Sequence, residues 1–200
     1  LIVVPFPGPR GGEAVVAALL DGTGGGRLPA TFPVADGVMP VAHDERLETA
    51  RGYVDYRVPR GVVLGAAHHA GVTLTLRPHP QAITSAALET GDHVSVTIDV
   101  QNHGDRDVSL PIPLYGRRHE VGIRPRRRTL LGVQRATVEA GTTAAVEIRL
   151  GLDELGSWAT GRPIAQPVEV SAWCTGDDDQ PAGALVLRVT DENGMTPWDR

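Results

Sequence analysis

From Val72 onward, apolar and polar residues alternate with a period of two. Val72, Leu74 and Leu76 interleave with Thr73, Thr75 and Arg77, and Val94, Val96, Ile98 and Val100 with His93, Ser95, Thr97 and Asp99. The same holds for Ala144, Val146, Ile148 and Leu150, for Val168, Val170, Ala172 and Cys174, and for Leu185, Leu187 and Val189. Weaker apolar runs at Leu110–Tyr115 and Leu130–Val138 complete a set of seven predicted strands. A side-chain period of two places one face of each strand in a core and the other in water. Turn-forming clusters such as Glu89–Asp92, Asn102–Asp105 and Glu139–Gly141 separate these strands, so the pattern predicts an antiparallel β-sandwich over 72–190.

The first seventy residues follow a different pattern. Leu1–Phe6 is a continuous apolar run, consistent with a strand covered on both faces, and Gly8–Glu13 breaks it. Ala14–Leu20 then carries strong helix formers with an apolar face at Val15, Val16, Leu19 and Leu20. Glu13 in the first turn suits the helix dipole, and Asp21-Gly22 ends the helix. One strand–loop–helix unit is not a domain, so residues 1–33 are expected to be the end of a layered α/β domain whose sheet partners lie outside this sequence. Periodicity is poor over 34–71, which reads as an extended connector wrapping a surface, with Gly52–Tyr56 as its strand-like anchor. Residues 191–200 read as a tail. The overall expectation is a mainly β chain, an incomplete α/β remnant followed by the sandwich.

Composition narrows the functional classes. Gly and Pro number 24 and 16, without a short period, which implies many turns and excludes collagen. A formal charge of −5 gives no general attraction to nucleic acid or anionic lipid. All 19 basic residues are Arg, scattered through every segment, which reads as codon bias rather than anion recognition. One cysteine, Cys174, cannot form an internal disulfide. No apolar run reaches the ~20 residues that a membrane-spanning helix needs.

No candidate chemistry survives a test of spacing. Gly8–Gly12 fits neither phosphate-loop pattern and reads as a helix-entry turn. His68-His69 would point to opposite sides of an extended chain and lacks further ligands at metal spacing. Asp177–Asp179 lacks the ordered ligand alternation of a calcium loop and reads as a solvated hairpin tip. Arg117, Arg118 and His119 with Arg124, Arg126, Arg127 and Arg128 form a basic patch without interleaved aromatics, read as an interdomain salt-bridge surface in preference to a contact for nucleic acid or anionic glycan. Ser157, Ser171, His43 and Asp44 form no triad-like pattern, and the carboxylate pairs Asp44-Glu45 and Asp153-Glu154 stand on exposed polar stretches. No catalytic, cofactor-binding or metal-binding residue is therefore assigned.

Several stretches nevertheless resemble a known family. Pro7-Gly8-Pro9-Arg10-Gly11-Gly12-Glu13-Ala14, then Leu19-Leu20-Asp21-Gly22, then Gly26-Arg27-Leu28-Pro29-Ala30-Thr31-Phe32-Pro33 resemble the end of the α/β-sandwich domain of family 3 glycoside hydrolases. Gly52–Tyr56 is similar to the aromatic segment that follows there. Val94–Asn102 with Gly104, Leu114-Tyr115, Arg124-Pro125, Leu130–Val133, Val138–Gly141 and Leu152–Leu155 with Trp158 resemble, in order, the fibronectin type III-like domain that closes many of these enzymes. The chain departs from the pattern in Thr23–Gly25, in Val63–His69 and at Val133, where the family has Phe.

The resemblance implies a β-glucosidase-type parent, a retaining glycosidase with two carboxylates roughly 5 Å apart across the glycosidic bond. Both family motifs precede the matching region, so no carboxylate of this sequence inherits either role and no cofactor is implied. The implied partners are the catalytic domains against which this piece packs and the parent's oligosaccharide or aryl glycoside substrate. The alternative is a free-standing, non-catalytic fibronectin type III-like module that binds glycan or a partner protein.

Overall fold

The computed structural model describes residues 8–20, 71–77, 81–119, 128–159, 161–174 and 184–199. The readings of 1–6, of the connector with Gly52–Tyr56, and of His43, Asp44, Glu45, His68, His69, Arg124, Arg126, Arg127 and Asp177–Asp179 lie outside these residues.

Helix α1 spans Gly11–Leu20, three residues longer at its start than the apolar pattern predicts. Arg10 and Glu13, one helical turn apart, form an exposed ion pair at 2.8 Å. The helix leaves Val16, Leu19 and Leu20 exposed, the last at 79%.

All seven expected strands are present, as β1 (Val72–Leu76), β3 (Val94–Asn102), β4 (Val108–His119), β5 (Thr129–Val138), β6 (Thr143–Leu150), β9 (Val168–Trp173) and β10 (Leu185–Thr190). Three short strands escaped the pattern: β2 (Gln81–Thr84), β7 (Ser157–Ala159) and β8 (Arg162–Ile164). β7 and β8 are shorter than the window over which alternation can be read, and β2 only just reaches it. Two short helices also escaped it, α2 (Ser85–Glu89) and α3 (Leu152–Leu155). Thr84 caps α2 by accepting from the Ala87 N–H at 3.2 Å. Glu154 closes the first turn of α3 by accepting from the Gly151 N–H at 2.9 Å, so Asp153-Glu154 is helical, with Asp153 exposed and Glu154 half-buried.

The strands form a three-stranded sheet ordered β1-β3-β6 and a five-stranded sheet ordered β2-β10-β9-β4-β5, with β7-β8 as a separate hairpin. Every pairing is antiparallel except β2 with β10, which is parallel. The two sheets enclose one core. Val96, Ile98, Val100, Ile148 and Leu150 enter it from the first sheet, and Leu110, Ile112, Leu114, Val170, Ala172 and Leu187 from the second. Each fully buried Leu, Ile or Val side chain contributes roughly 1.5–3 kcal/mol.

Strand β4 carries Pro111 and Pro113, which cannot donate to a ladder. It tolerates them because it pairs β5 along Val108–Gly116 but meets β9 only from Tyr115 onward. A β-bulge then intervenes: Leu114 opposes Gly132 and Tyr115 opposes Leu130, leaving Leu131 as the extra residue. Two glycines make room at this point. A Cβ on Gly116 would sit 2.5 Å from Leu131 Cδ1, and one on Gly132 would sit 2.6 Å from Ile148 Cγ2.

Candidate functional site

The strand register separates the two outward faces of the sandwich by chemistry. On the three-stranded sheet the outward positions are Thr73, Thr75, Ser95, Thr97, Asp99, Ala145, Glu147 and Arg149. Several of them are held by neighbours on the same face. Arg77 donates two hydrogen bonds from Nε and Nη2 to Asp99 Oδ2 and Oδ1, at 2.9 and 2.8 Å. That bidentate bond from the guanidinium holds the Asp99 carboxyl below the usual carboxylate range. Ser95 Oγ donates to Glu147 Oε1 at 2.5 Å, and this bond, helped by Arg149, lowers the Glu147 pKa in the same direction.

The five-stranded sheet turns a different face outward. Tyr115 opposes both Leu130 and Trp173, and Pro113 opposes Val133, so these five residues share that face. Pro113, Tyr115 and Trp173 are nevertheless buried, Trp173 to 1% exposure, while Leu130 and Val133 are each 55% exposed. The Arg128 guanidinium carbon stands 4.8 Å from the Tyr115 ring centroid, a cation–π contact with Arg128 itself buried. The Trp173 indole N–H is buried without a hydrogen-bond partner.

Of the basic cluster, the described residues lie at strand positions and not in a loop, save Arg128, which immediately precedes β5. Arg117, Arg118 and His119 belong to β4, where neighbours on β9 half-bury them. Arg118 Nη1 donates to the Leu155 carbonyl at 2.5 Å and to the Gly156 carbonyl at 3.2 Å, and Nη2 donates to Ser157 Oγ at 2.9 Å. Its fork therefore binds the α3–β7 junction to the end of β4. The segment that follows β8 is tied to the end of α2, since the Ala165 N–H donates to Glu89 Oε1 at 2.6 Å. Asn102 works in a similar way at the other end of the sandwich. Its Nδ2 donates to the carbonyls of Arg106, Val138 and Glu139, and its Oδ1 accepts from the Gly104 N–H.

No active-site constellation emerges among the described residues. His119 Nε2 and Ser171 Oγ lie 2.9 Å apart, but they stand on an open sheet face and no carboxylate is hydrogen-bonded to the imidazole. Ser157 accepts a hydrogen bond from Arg118. Among the described residues no three His, Cys, Asp or Glu side chains gather as a metal site would require, and no helix is long and apolar enough to cross a membrane. An open depression of about 580 Å³ lies where the edge strands β5 and β6 meet, lined by Leu131, Gly132, Val133, Gln134, Glu147, Ile148, Arg149 and Glu154. It has no aromatic platform, and Glu147 and Arg149 in it already pair with each other at 3.4 Å. Cys174 is buried and takes part in no disulfide.

No family model matches the sequence. A stretch of 156 residues is 31% identical to a xylan 1,4-β-xylosidase of Xylanibacter ruminicola, covering 76% of this chain and 17% of that protein. Among solved structures, a GH3 exo-β-xylosidase superposes with a TM-score of 0.65 at 15% identity, over 94% of this chain and 27% of that one. The β-D-glucoside glucohydrolase of Trichoderma reesei superposes with a TM-score of 0.63 at 15% identity, over 92% of this chain and 29% of that one. The chain thus spans less than a third of the length of each of these proteins. In sequence and in fold, it resembles the C-terminal part of family 3 glycoside hydrolases.

Proposed function

We propose that this chain is the C-terminal scaffold portion of a family 3 glycoside hydrolase, and that the carboxylates which cleave the glycosidic bond stand upstream of it. The observation that carries this reading is the asymmetry of the matches. Nearly all of this chain aligns with glycosidase structures, while the bulk of each glycosidase has no counterpart here. In the same reading, 1–33 is the end of an α/β-sandwich domain, 34–71 a connector, 72–190 a fibronectin type III-like sandwich and 191–200 its tail.

The parent's substrate in this reading is a terminal β-linked sugar of an oligosaccharide or aryl glycoside. The names of the relatives support β-xylosides beside the β-glucosides that the sequence motifs alone suggest. The sandwich would act by position: two hydrogen-bonded sheets give a rigid body on which catalytic domains can hold a pocket closed to water. A retaining mechanism needs two carboxyl groups roughly 5 Å apart, with one poised as an acid, and the carboxylates described above are spent on ion pairs and caps. The test is turnover of 4-nitrophenyl β-glucoside and β-xyloside by the 200-residue chain and by the uninterrupted product of its gene. Hydrolysis by the longer polypeptide alone supports the proposal; turnover by the short chain refutes it.

A further inference from the structure

Asn193 and Gly194 stand side by side in the exposed loop that follows β10. Asparagine is thermolabile because a backbone nitrogen can attack its side-chain amide. The attack comes from the next residue along the chain. Glycine there obstructs it least, having no Cβ and many accessible backbone conformations. The sequence has two asparagines, and the structure treats them oppositely. Asn102 is 1% exposed and its Nδ2 donates to three carbonyls. The nitrogen that would attack it, that of His103, donates to the Gly71 carbonyl at 2.7 Å. Asn193 is exposed and is followed by a glycine with φ of 76°.

The loop itself restrains the pair. The Gly194 N–H donates to the Asp191 carbonyl at 3.0 Å, which closes a turn. The Asp191 carboxylate accepts from the Asn193 and Met195 N–H groups, each at 2.9 Å, and the Asp191 N–H donates to the Met195 carbonyl at 2.9 Å. While these bonds hold, the attacking nitrogen is committed to Asp191, so local opening is the step that admits the reaction.

We infer that Asn193 is a site of spontaneous deamidation and isoaspartate formation, gated by the loop that Asp191 holds shut. The Gly194 nitrogen gives its proton to solvent base and bonds to Asn193 Cγ. The Cγ–Nδ2 bond breaks and ammonia leaves, closing a cyclic imide. Water then opens the imide, at Cγ to give aspartate or at the Asn193 backbone carbonyl to give isoaspartate, with no oxidation or reduction. Isoaspartate routes the backbone through the side-chain methylene and adds a carboxylate beside Asp191 and Glu192, so the product no longer fits the loop. What it loosens is the C-terminal clasp, in which Asp199 Oδ2 accepts from the Thr196 N–H and hydroxyl and Trp198 Nε1 donates to the His119 carbonyl at 3.3 Å.

Mass spectrometry tests this on the folded protein, incubated in mildly alkaline buffer beside a synthetic peptide of residues 189–200, the segment that trypsin releases after Arg188. Replacing the amide by a carboxyl adds mass, and electron-transfer fragmentation separates isoaspartate from aspartate. Conversion at Asn193 with Asn102 intact is expected, about tenfold slower in the protein than in the peptide. Asp191→Ala removes two charge-assisted bonds and should raise the protein's rate about tenfold, towards that of the peptide. A readout that needs no variant is exchange of the Gly194 amide proton, which the same opening governs: its protein-to-peptide ratio should match that of deamidation to within about threefold. An intact Asn193 under conditions that convert the peptide overturns the inference. So does an Asp191→Ala rate equal to that of the wild type, or a tenfold or greater mismatch between the two ratios.

Discussion

Gly132 provides a case in which the structure reverses the sign that sequence reasoning gives. Glycine inside a strand is entropically costly, and Gly→Ala at a compatible backbone position stabilises by about 0.4–1 kcal/mol. Gly132 is not among the glycines with positive φ, so alanine is conformationally allowed there. Its Cα faces the core opposite Leu114, however, and an added methyl would lie 2.6 Å from Ile148 Cγ2. That atom is attached to the Ile148 Cβ, whose χ1 is held by β-branching, so it cannot swing aside as a chain end could. Overpacking of this kind costs about 1–3 kcal/mol, so the net effect of Gly132→Ala is a loss of about 1–2 kcal/mol. At about 4 °C per kcal/mol for a domain of this size, melting falls by roughly 4–8 °C. Urea denaturation followed by tryptophan fluorescence measures the change. Ile148→Ala, which removes the obstructing methyl, should show favourable coupling with Gly132→Ala of about 0.5 kcal/mol or more in a double-mutant cycle. Unchanged or raised stability for Gly132→Ala, or strict additivity in the cycle, would refute the reasoning.

Other side chains give sharp expectations of the same kind. Asn102→Asp replaces a donor that faces three carbonyls with an acceptor, so it should destabilise more than Asn102→Ala, by about 1–3 kcal/mol beyond it at neutral pH, and part of that excess should vanish in acid as the carboxyl protonates. Arg118→Lys keeps the charge but loses the fork that grips Leu155, Gly156 and Ser157; faster amide exchange confined to the α3–β8 segment is the expected readout, against global destabilisation if the fork is not local. The pH dependence follows from carboxyls whose folded pKa lies below the unfolded one: Asp99 through Arg77, Glu147 through Ser95, and Asp199 through the Thr196 N–H and hydroxyl. Their contribution is complete above the unfolded value near 4 and is lost as pH falls through the folded values, so urea midpoints should hold from pH 7 to 5 and decline below, with a shallower decline in Asp99→Asn.

Much of the sandwich was legible because its strands are long and half-buried. Val94–Val100 and Ala144–Leu150 alternate, and every apolar member except the outward Ala145 lies in or against the core. The Asn102-His103-Gly104 turn was also visible, and its reason is now physical: Asn102 is buried to 1% exposure and ties the β3–β4 turn to the end of β5. What escaped was set by tertiary contact. β2 exists because four residues pair in parallel with β10, and nothing in Gln81–Thr84 alone announces that. Arg117–His119 read as loop because three polar residues break alternation, yet the register with β9 makes them strand. Trp173 stands at an outward position by parity and is nonetheless buried, which no periodic pattern reveals. The absence of an assigned catalytic residue came from motif spacing; Asp99, Glu147 and Glu154 are engaged with Arg77, Ser95 and the Gly151 N–H.

The most direct test of the account is a turnover measurement on matched samples. The 200-residue chain, folded as judged by a cooperative urea transition, should release no 4-nitrophenol from aryl β-glucoside or β-xyloside above the uncatalysed rate, while the uninterrupted gene product should release it with retention of anomeric configuration. Turnover by the short chain, or none by the longer one, would contradict the reading of this sandwich as the scaffold of a glycosidase.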